Sequence, residues 1–179
     1  MGEILKTPIA NLLIRRNKVV MDARGYLCEL APGGLKDEML AAGVSNLVAV
    51  GATKQFVPRG SHYHLTNIDN AWFVAGSAMW FFHDFRGASS SRGVNYAVVV
   101  GYEAPPKRFS DLPHALIRDG VMAHIQIPAG VYHIMWPLTK APAVLIETAS
   151  VPYDEKDYVR MKPREVPGLM EFMQRYGLA

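Results

Sequence analysis

Fifteen glycines and twelve prolines are spread along the whole 179-residue chain, and the apolar runs between them are short. This punctuation leaves little room for long helices, because proline lacks the N–H that a helix interior needs and glycine weakens it. Short apolar runs separated by turn residues are the pattern of many short strands. Val19–Leu30 predicts a strand pair or a bent strand around Gly25, and Asn46–Phe56 a loosely alternating strand. Ala71–Phe82 predicts two strands hinged at Gly76–Ser77, and Tyr96–Tyr102, Ala123–Ile127, Val131–Trp136 and Ala143–Ser150 complete the set. The expected fold is all-β, a barrel or a double-sheet jelly roll with short helical appendages.

Two segments depart from the strand pattern. Leu35–Ala42 carries Leu35, Met39 and Leu40 at helical spacing and stops at Gly43. In the tail, Leu169, Met170, Phe172, Met173 and Tyr176 repeat at helical spacing, with Gly177 where a C-cap belongs. A C-terminal helix is therefore expected over 165–177. Gly87–Gly93, with three serines, reads as an exposed loop, and Pro105–Pro113 as a second one. No repeat or linker divides the chain, so residues 1–179 are expected to form a single domain.

Composition excludes several classes of function. The formal net charge is only +3, and the longest basic runs are the pairs Arg15–Arg16 and Lys107–Arg108. A nucleic-acid partner needs basic residues gathered on one face, so none is expected. The most apolar stretch, Ala71–Phe82, falls short of the roughly 20 residues a spanning helix needs, so no membrane partner is expected either. Arg15–Arg16 follow the first apolar patch, the reverse of a signal peptide. Lys6 stands where N-myristoylation wants Ser or Thr. The single cysteine, Cys28, excludes an intramolecular disulfide framework and fits a reducing, cytoplasmic setting. Its neighbours Leu27 and Leu30 suggest a buried, inert thiol. No phosphate-cradling glycine loop, nucleophile elbow or Cys-x-x-Cys is present.

The informative chemistry is in the histidines. Arg59-Gly60-Ser61-His62-Tyr63-His64 places two imidazoles at i and i+2, on one face of a strand. A buried ring of this kind needs a metal, a ligand or a hydrogen-bond partner. On a hairpin, Asp69 returns to the same cavity. Pro128-Ala129-Gly130-Val131-Tyr132-His133 then puts a third histidine just after a tight turn. His83, His114 and His124 lack such context and are expected to be structural or exposed.

His62, His64, Asp69 and Gly76 match the spacing of the first half of the cupin signature, with Asp in place of the usual Glu. Pro128, Gly130 and His133 match the second half. The sequence thus resembles the cupins, which implies a jelly roll with its site inside the barrel. Within them it is similar to the dTDP-4-dehydrorhamnose 3,5-epimerases and dTDP-sugar 3,4-ketoisomerases. Asp22-Ala23-Arg24-Gly25 followed by Glu29, Arg59-Gly60-Ser61-His62-Tyr63, and Pro128 to His133 carry the likeness. His64 and Tyr153-Asp154-Glu155-Lys156-Asp157-Tyr158-Val159-Arg160 look more like the ketoisomerase branch.

The resemblance implies that His62 removes the proton alpha to a sugar's keto group, with His64, His133 and Tyr132 as supporting polar groups. It also implies Arg24, Glu29 and Arg59 as substrate-binding residues, the guanidinium groups suiting a diphosphate. At the family's lysine position this chain has Trp72, and near the family's tyrosine position it has Glu147, a carboxyl that serves as an acid if burial raises its pKa. Three readings follow. The first is a cofactor-free epimerase or isomerase of a nucleotide-linked 4-keto sugar. The second is a metal-dependent oxygenase, isomerase or lyase holding Fe, Mn, Ni or Zn on His62, His64, Asp69 and His133. The third is a cupin that binds a small ligand without turning it over. The likeness further implies a homodimer in which an apolar arm, residues 1–20, extends a neighbour's sheet and covers its edge.

Overall fold

A computed structural model describes residues 4–23, 25–28, 41–47, 49–50, 55–116, 121–139 and 142–178. In chain order the strands are β1 (Ile4–Leu5), β2 (Leu13–Asp22), β3 (Gly25–Cys28), β4 (Ala41–Leu47), β5 (Ala49–Val50), β6 (Gln55–Phe56), β7 (Arg59–His64) and β8 (Asp69–Ala75). They continue with β9 (Ser77–Asp84), β10 (Asn95–Gly101), β11 (His114–Leu116), β12 (Val121–Ile127), β13 (Val131–Pro137), β14 (Ala143–Ala149) and β15 (Tyr158–Arg160). One helix, α1 (Leu169–Tyr176), closes the chain.

Two large sheets make a jelly roll. One has the order β1-β2-β12-β8-β14-β4 with β3 paired to β2, and the other has the order β11-β10-β9-β13-β7-β15. Alternation along each strand sends one set of side chains into the space between the sheets. Ile14, Phe73, Ile125 and Leu145 from the first sheet meet Trp80, Phe82, Val98 and Met135 from the second. The outer face of the second sheet is also covered. Met79, Phe81, Tyr132, Ile134 and Trp136 pack there against Leu169 and Tyr176 of α1. Strand β9 is consequently buried along its whole length. This explains why Ala71–Phe82 reads as the most apolar stretch: a strand covered on both faces loses its polar alternation.

Most expected strands are present to within a few residues. Within Val19–Leu30, Val19–Asp22 of β2 pairs antiparallel with Gly25–Cys28 of β3, Asp22 opposite Gly25, and the hinge at Gly76 has φ +72. The expected helix over Leu35–Ala42 falls largely on residues 29–40, which lie outside the described ones, while Ala41 and Ala42 open strand β4. The C-terminal helix is shorter than 165–177. Pro163–Glu165 is a single 3-10 turn, and Gly168 at φ +75 precedes the helix. A right-handed helix cannot run through that conformation, so it starts at Leu169. Gly177 ends it in the left-handed conformation expected of a C-cap.

Residues 4–20 do not project as a free arm. Strand β1 pairs with β2, β2 pairs with β12 of the same chain, and Ile9, Leu12 and Ile14 are buried in the chain's own core. The Pro105–Pro113 loop contains a 3-10 turn, Lys107–Phe109, that buries Phe109. The serine-rich loop after β9 is likewise anchored. Asp84, fully buried, accepts hydrogen bonds from the Arg86 guanidinium and from Ser89 and Ser91. Arg86 then donates to the carbonyl of Ala10, whose own N–H donates to Ser91.

Candidate functional site

Strands β7 and β13 place the histidines. His133 lies opposite His62, and the register slips between His133 and Ile134. On β7 the matching irregularity is at Gly60 and Ser61, with φ +93 and +66. A bulge of this kind re-aims the side chains that follow it. Ser61 donates to the Met161 carbonyl at 2.7 Å and accepts from the Tyr132 hydroxyl at 3.0 Å, which fixes the strained turn. A Cβ at Gly60 would lie 2.7 Å from the His133 carbonyl oxygen. Gly60→Ala is therefore expected to cost about 1–3 kcal/mol, the range for a residue forced into a disfavoured conformation, and to displace His62. Urea unfolding followed by a ligand titration checks both effects.

Residues of β7, β8, β9, β13, β14 and β15 line a cavity of about 410 Å³. His62, His64, Asp69, His133, Glu147 and Tyr158 form its polar wall, Trp80 and Met135 its apolar part, and Arg59 and Arg160 also line it. The His62 ring is 5.0 Å from that of His64 and 4.6 Å from that of His133. Tyr158 packs on both, 4.9 Å from His62 and 4.3 Å from His64.

The three histidines are held differently. His64 donates from Nδ1 to Asp157 at 2.8 Å, and its Nε2 meets Asp69 at 3.1 Å. Burial by itself lowers the pKa of His64, but hydrogen bonds and charge from Asp69 and Asp157 outweigh it and hold the imidazolium above the ordinary histidine range. Asp69 is held below the carboxylate range because the contact with His64 and the charges of His133, His64 and His62 outweigh its burial. His133 faces the Val131 carbonyl through Nδ1 at 3.3 Å and Asp69 through Nε2 at 3.5 Å; burial lowers its pKa. His62 is pushed down to about 3 by burial, then by the neighbouring His133 and His64. Its Nδ1 is buried without a hydrogen-bond partner among the described residues. His62 is therefore neutral in the cavity wall, and His64 beside it holds its proton more tightly than an ordinary histidine.

Of the expected site residues, the structure brings together His62, His64, Asp69, His133, Glu147 and Arg59. Arg24 and Glu29 lie outside the described residues, as does the side chain of Cys28. Tyr132 is not in the cavity. Successive residues of a strand face opposite ways, so next to inward-facing His133 it turns to the outer face and packs in the apolar layer under α1. Trp72 is not in the cavity either. Asp69 is the side chain that β8 contributes to the cavity, and Trp72 stacks on His124 at 4.5 Å on the outer face. His124 is pushed down to about 4 by burial and then by Arg15, and its Nε2 meets Asn70 at 3.0 Å. His83 is buried against Asn95, and His114 is exposed.

Asp157, Tyr158, Arg160 and Trp80 also belong to the site but were not assigned from sequence. Tyr158 and Arg160 stand at i and i+2, the same one-face spacing as His62 and His64, so that signal was readable. Asp157 and Trp80 carry no local signal; strand register alone brings them in.

No protein-family model and no curated protein matches the sequence. Solved structures do. A dTDP-sugar isomerase from Desulfovibrio desulfuricans superposes with a TM-score of 0.70 at 12% identity, over 91% of this chain and 92% of that one. A dTDP-6-deoxy-D-glucose-3,5-epimerase from Legionella pneumophila, solved with dTDP-4-keto-L-rhamnose, gives 0.66 at 20% identity, over 90% and 78%. A sugar 3,4-ketoisomerase from Thermoanaerobacterium thermosaccharolyticum, solved with TDP, gives 0.58 at 18% identity, over 91% and 97%. The chain has the cupin-like jelly-roll fold of these proteins.

Proposed function

We propose that this protein is an epimerase or isomerase of a nucleotide-linked 4-keto sugar. The observation that carries the reading is the state of His62, a neutral, half-buried imidazole in the wall of a cavity shared with two arginines. A neutral imidazole takes the proton alpha to the ketone, and the electron pair moves to the carbonyl oxygen to give an enolate. Preorganised positive charge favours that anion in a water-poor site, and His64, whose pKa Asp69 and Asp157 raise, is the histidine placed to supply it. Proton return needs an acid on the wall. Tyr158 keeps its phenol proton, because burial and then Asp69 push its pKa up, and Glu147 is the second candidate. Arg59 and Arg160, which line the same cavity, take the diphosphate, and Arg24 and Glu29 belong to the same reading as substrate-binding residues. The reading also includes a cytoplasmic homodimer in which residues 1–20 extend a neighbour's sheet. Among the described residues, no helix is long and apolar enough to cross a membrane.

The deciding experiment incubates the protein in D₂O with a dTDP-linked 4-keto-6-deoxyhexose. Deuterium at carbon 3 or 5, read by mass spectrometry and NMR, is the expected result. No exchange with any 4-keto sugar nucleotide refutes the reading.

A metal-dependent cupin is favoured by one specific observation. Ligand atoms of His62, His64, Asp69 and His133 all lie within 4.8 Å of one another. Asp157 and the Val131 carbonyl hold the Nδ1 atoms of His64 and His133, leaving both Nε2 atoms toward Asp69. That is how outer partners orient metal-ligating histidines, and the donor set fits Fe, Mn, Ni or Zn. In this reading those four residues would hold the ion, whose Lewis acidity would be available to polarise a substrate oxygen. Elemental analysis after purification without chelator separates the two: near-stoichiometric metal, lost with activity on dialysis against a chelator, supports the second reading, and metal-free active protein the first.

A further inference from the structure

Arg160 lines the cavity and pairs with His62 in the register of β15 and β7, so it leaves its strand beside the proposed base. An arginine side chain is long and rotamer-rich, and ordering it on a ligand costs conformational entropy. Here the protein's own side chains order it. Nε and Nη2 donate to the two oxygens of Glu155 at 3.1 and 3.2 Å, a bidentate contact that occupies one edge of the guanidinium. The Tyr158 ring lies under it, with Cζ 5.0 Å from the centroid. Tyr153 donates its hydroxyl to Oε2 of Glu155, and its ring packs 5.5 Å from that of Tyr158. Tyr153, Glu155, Arg160 and Tyr158 thus close a circuit of contacts, and two of its members, Tyr158 and Arg160, line the cavity.

Stability does not account for this circuit. Arg160 and Glu155 are 57% and 60% exposed, and ion pairs so exposed contribute little to folding. The turn that carries Glu155 is held by other bonds. Asp154 accepts from the Lys156 N–H at 2.9 Å, and Asp157 accepts from the N–H and the hydroxyl of Thr66, both at 2.7 Å. What the Glu155 contact governs is the orientation of the guanidinium. A guanidinium has a second pair of donors, on Nη1 and Nη2, that suits a phosphate.

We infer that Glu155 is a positioning residue, which holds Arg160 in the orientation that binds the diphosphate, with Tyr153 holding Glu155 in turn. The inference rests on the sugar-nucleotide reading and adds to it how the anion site is kept in order. Charge and orientation act in opposite directions here. Glu155 is an anion near an anion site, so by charge alone its removal strengthens diphosphate binding. Water and salt screen that repulsion between exposed groups, whereas the cost of ordering a free arginine side chain is not screened. Orientation therefore prevails, and removal weakens binding.

Calorimetric titration with dTDP tests this in the unsubstituted protein, Glu155→Ala, Arg160→Ala and the double variant. Glu155→Ala is expected to bind dTDP about three- to tenfold more weakly, the size of ordering one long side chain. In the Arg160→Ala background the same change should alter affinity by less than about 1.5-fold, because Glu155 acts only through the guanidinium. The thermal midpoint of Glu155→Ala without ligand should fall by no more than about 2–4 °C. Tighter or unchanged dTDP binding by Glu155→Ala, or equal losses in both backgrounds, overturns the inference and leaves the function standing. Unsubstituted protein that binds neither dTDP nor a dTDP-linked 4-keto sugar overturns the function and the inference together, so the two failures are distinct. The Nε–H resonance of Arg160 in ¹⁵N-labelled protein, assigned by its absence in Arg160→Ala, gives a second readout. It should be visible in the unsubstituted protein and lost to exchange with water in Glu155→Ala; a resonance that persists unchanged refutes the positioning role.

Discussion

His62→Asn is expected to bind a dTDP-linked 4-keto sugar with little change and to incorporate solvent deuterium about 10²–10⁴-fold more slowly, the usual contribution of a general base. Asparagine keeps a polar group of similar reach but cannot take a proton. His64→Asn is a different experiment, because His64 has both nitrogens engaged by carboxylates and contributes charge instead of a lone pair. The pH dependence separates the two roles. Burial and the adjacent histidines lower the pKa of His62 to about 3, so it stays neutral, and able to accept a proton, at every pH above that. Exchange should therefore be flat from pH 7.5 down to 5, where a histidine near the ordinary value of about 6.5 has lost most of its basic form. His64 has a raised pKa, so its charge is fully present below the ordinary value and is lost as pH rises through the raised one. The fall in activity is expected on the alkaline side. An acid limb centred near 6.5 in kcat/KM removes His62 from the role of base.

Asp84→Ala should have the largest effect on stability, about 3–5 kcal/mol, because it strands a charged partner that the fold holds partly buried. Asp84 is fully buried, and its partner Arg86 is 20% exposed. The same carboxylate also gathers Ser89 and Ser91, so its loss frees the turn after β9 and the contact to Ala10. For a chain of this size the expected fall in Tm is roughly 6–20 °C, at about 2–4 °C per kcal/mol. Arg86→Ala should cost a similar amount and the double variant much less than the sum, since each single change orphans the other group. The Asp84 carboxyl is held below its ordinary range: burial opposes this, but the hydrogen bonds from Arg86, Ser91 and Ser89 prevail. A depressed folded value means that the stabilisation is complete above the unfolded carboxylate value, about 3.9, and is lost as pH falls through the folded one. The unsubstituted protein should accordingly lose stability below about pH 4, and Asp84→Ala should show a shallower acid limb. Equal steepness in guanidinium unfolding from pH 3 to 7 refutes this account of the network.

The histidines show how far local pattern reaches. His62 and His64 are two apart on a strand, so their shared face follows from the pleat alone. His133 joins them because β13 pairs with β7, which the two separated motifs could suggest only through a family likeness. The same alternation excludes Tyr132, one residue from His133 and on the opposite face. Counting along the chain placed Trp72 at a catalytic position, yet β8 sends Asp69 into the cavity. Loop lengths shift such counts, whereas burial on one face does not.

Glycine and proline punctuation, short apolar runs and helical spacing in the tail were enough to determine an all-β chain with a terminal helix, because these are local preferences of backbone and side chain. The spacing of His62 and His64 likewise determined a pair of imidazoles on one face, which Asp69 meets from the facing sheet. Which groups meet that cluster was decided only by the tertiary structure. Asp157 reaches His64 from 93 residues away, and Trp80 lines the same cavity from β9 with its N–H unpaired. Strand register between distant segments carries no local signature, and it is register that sets His62 apart from the carboxylate-paired His64.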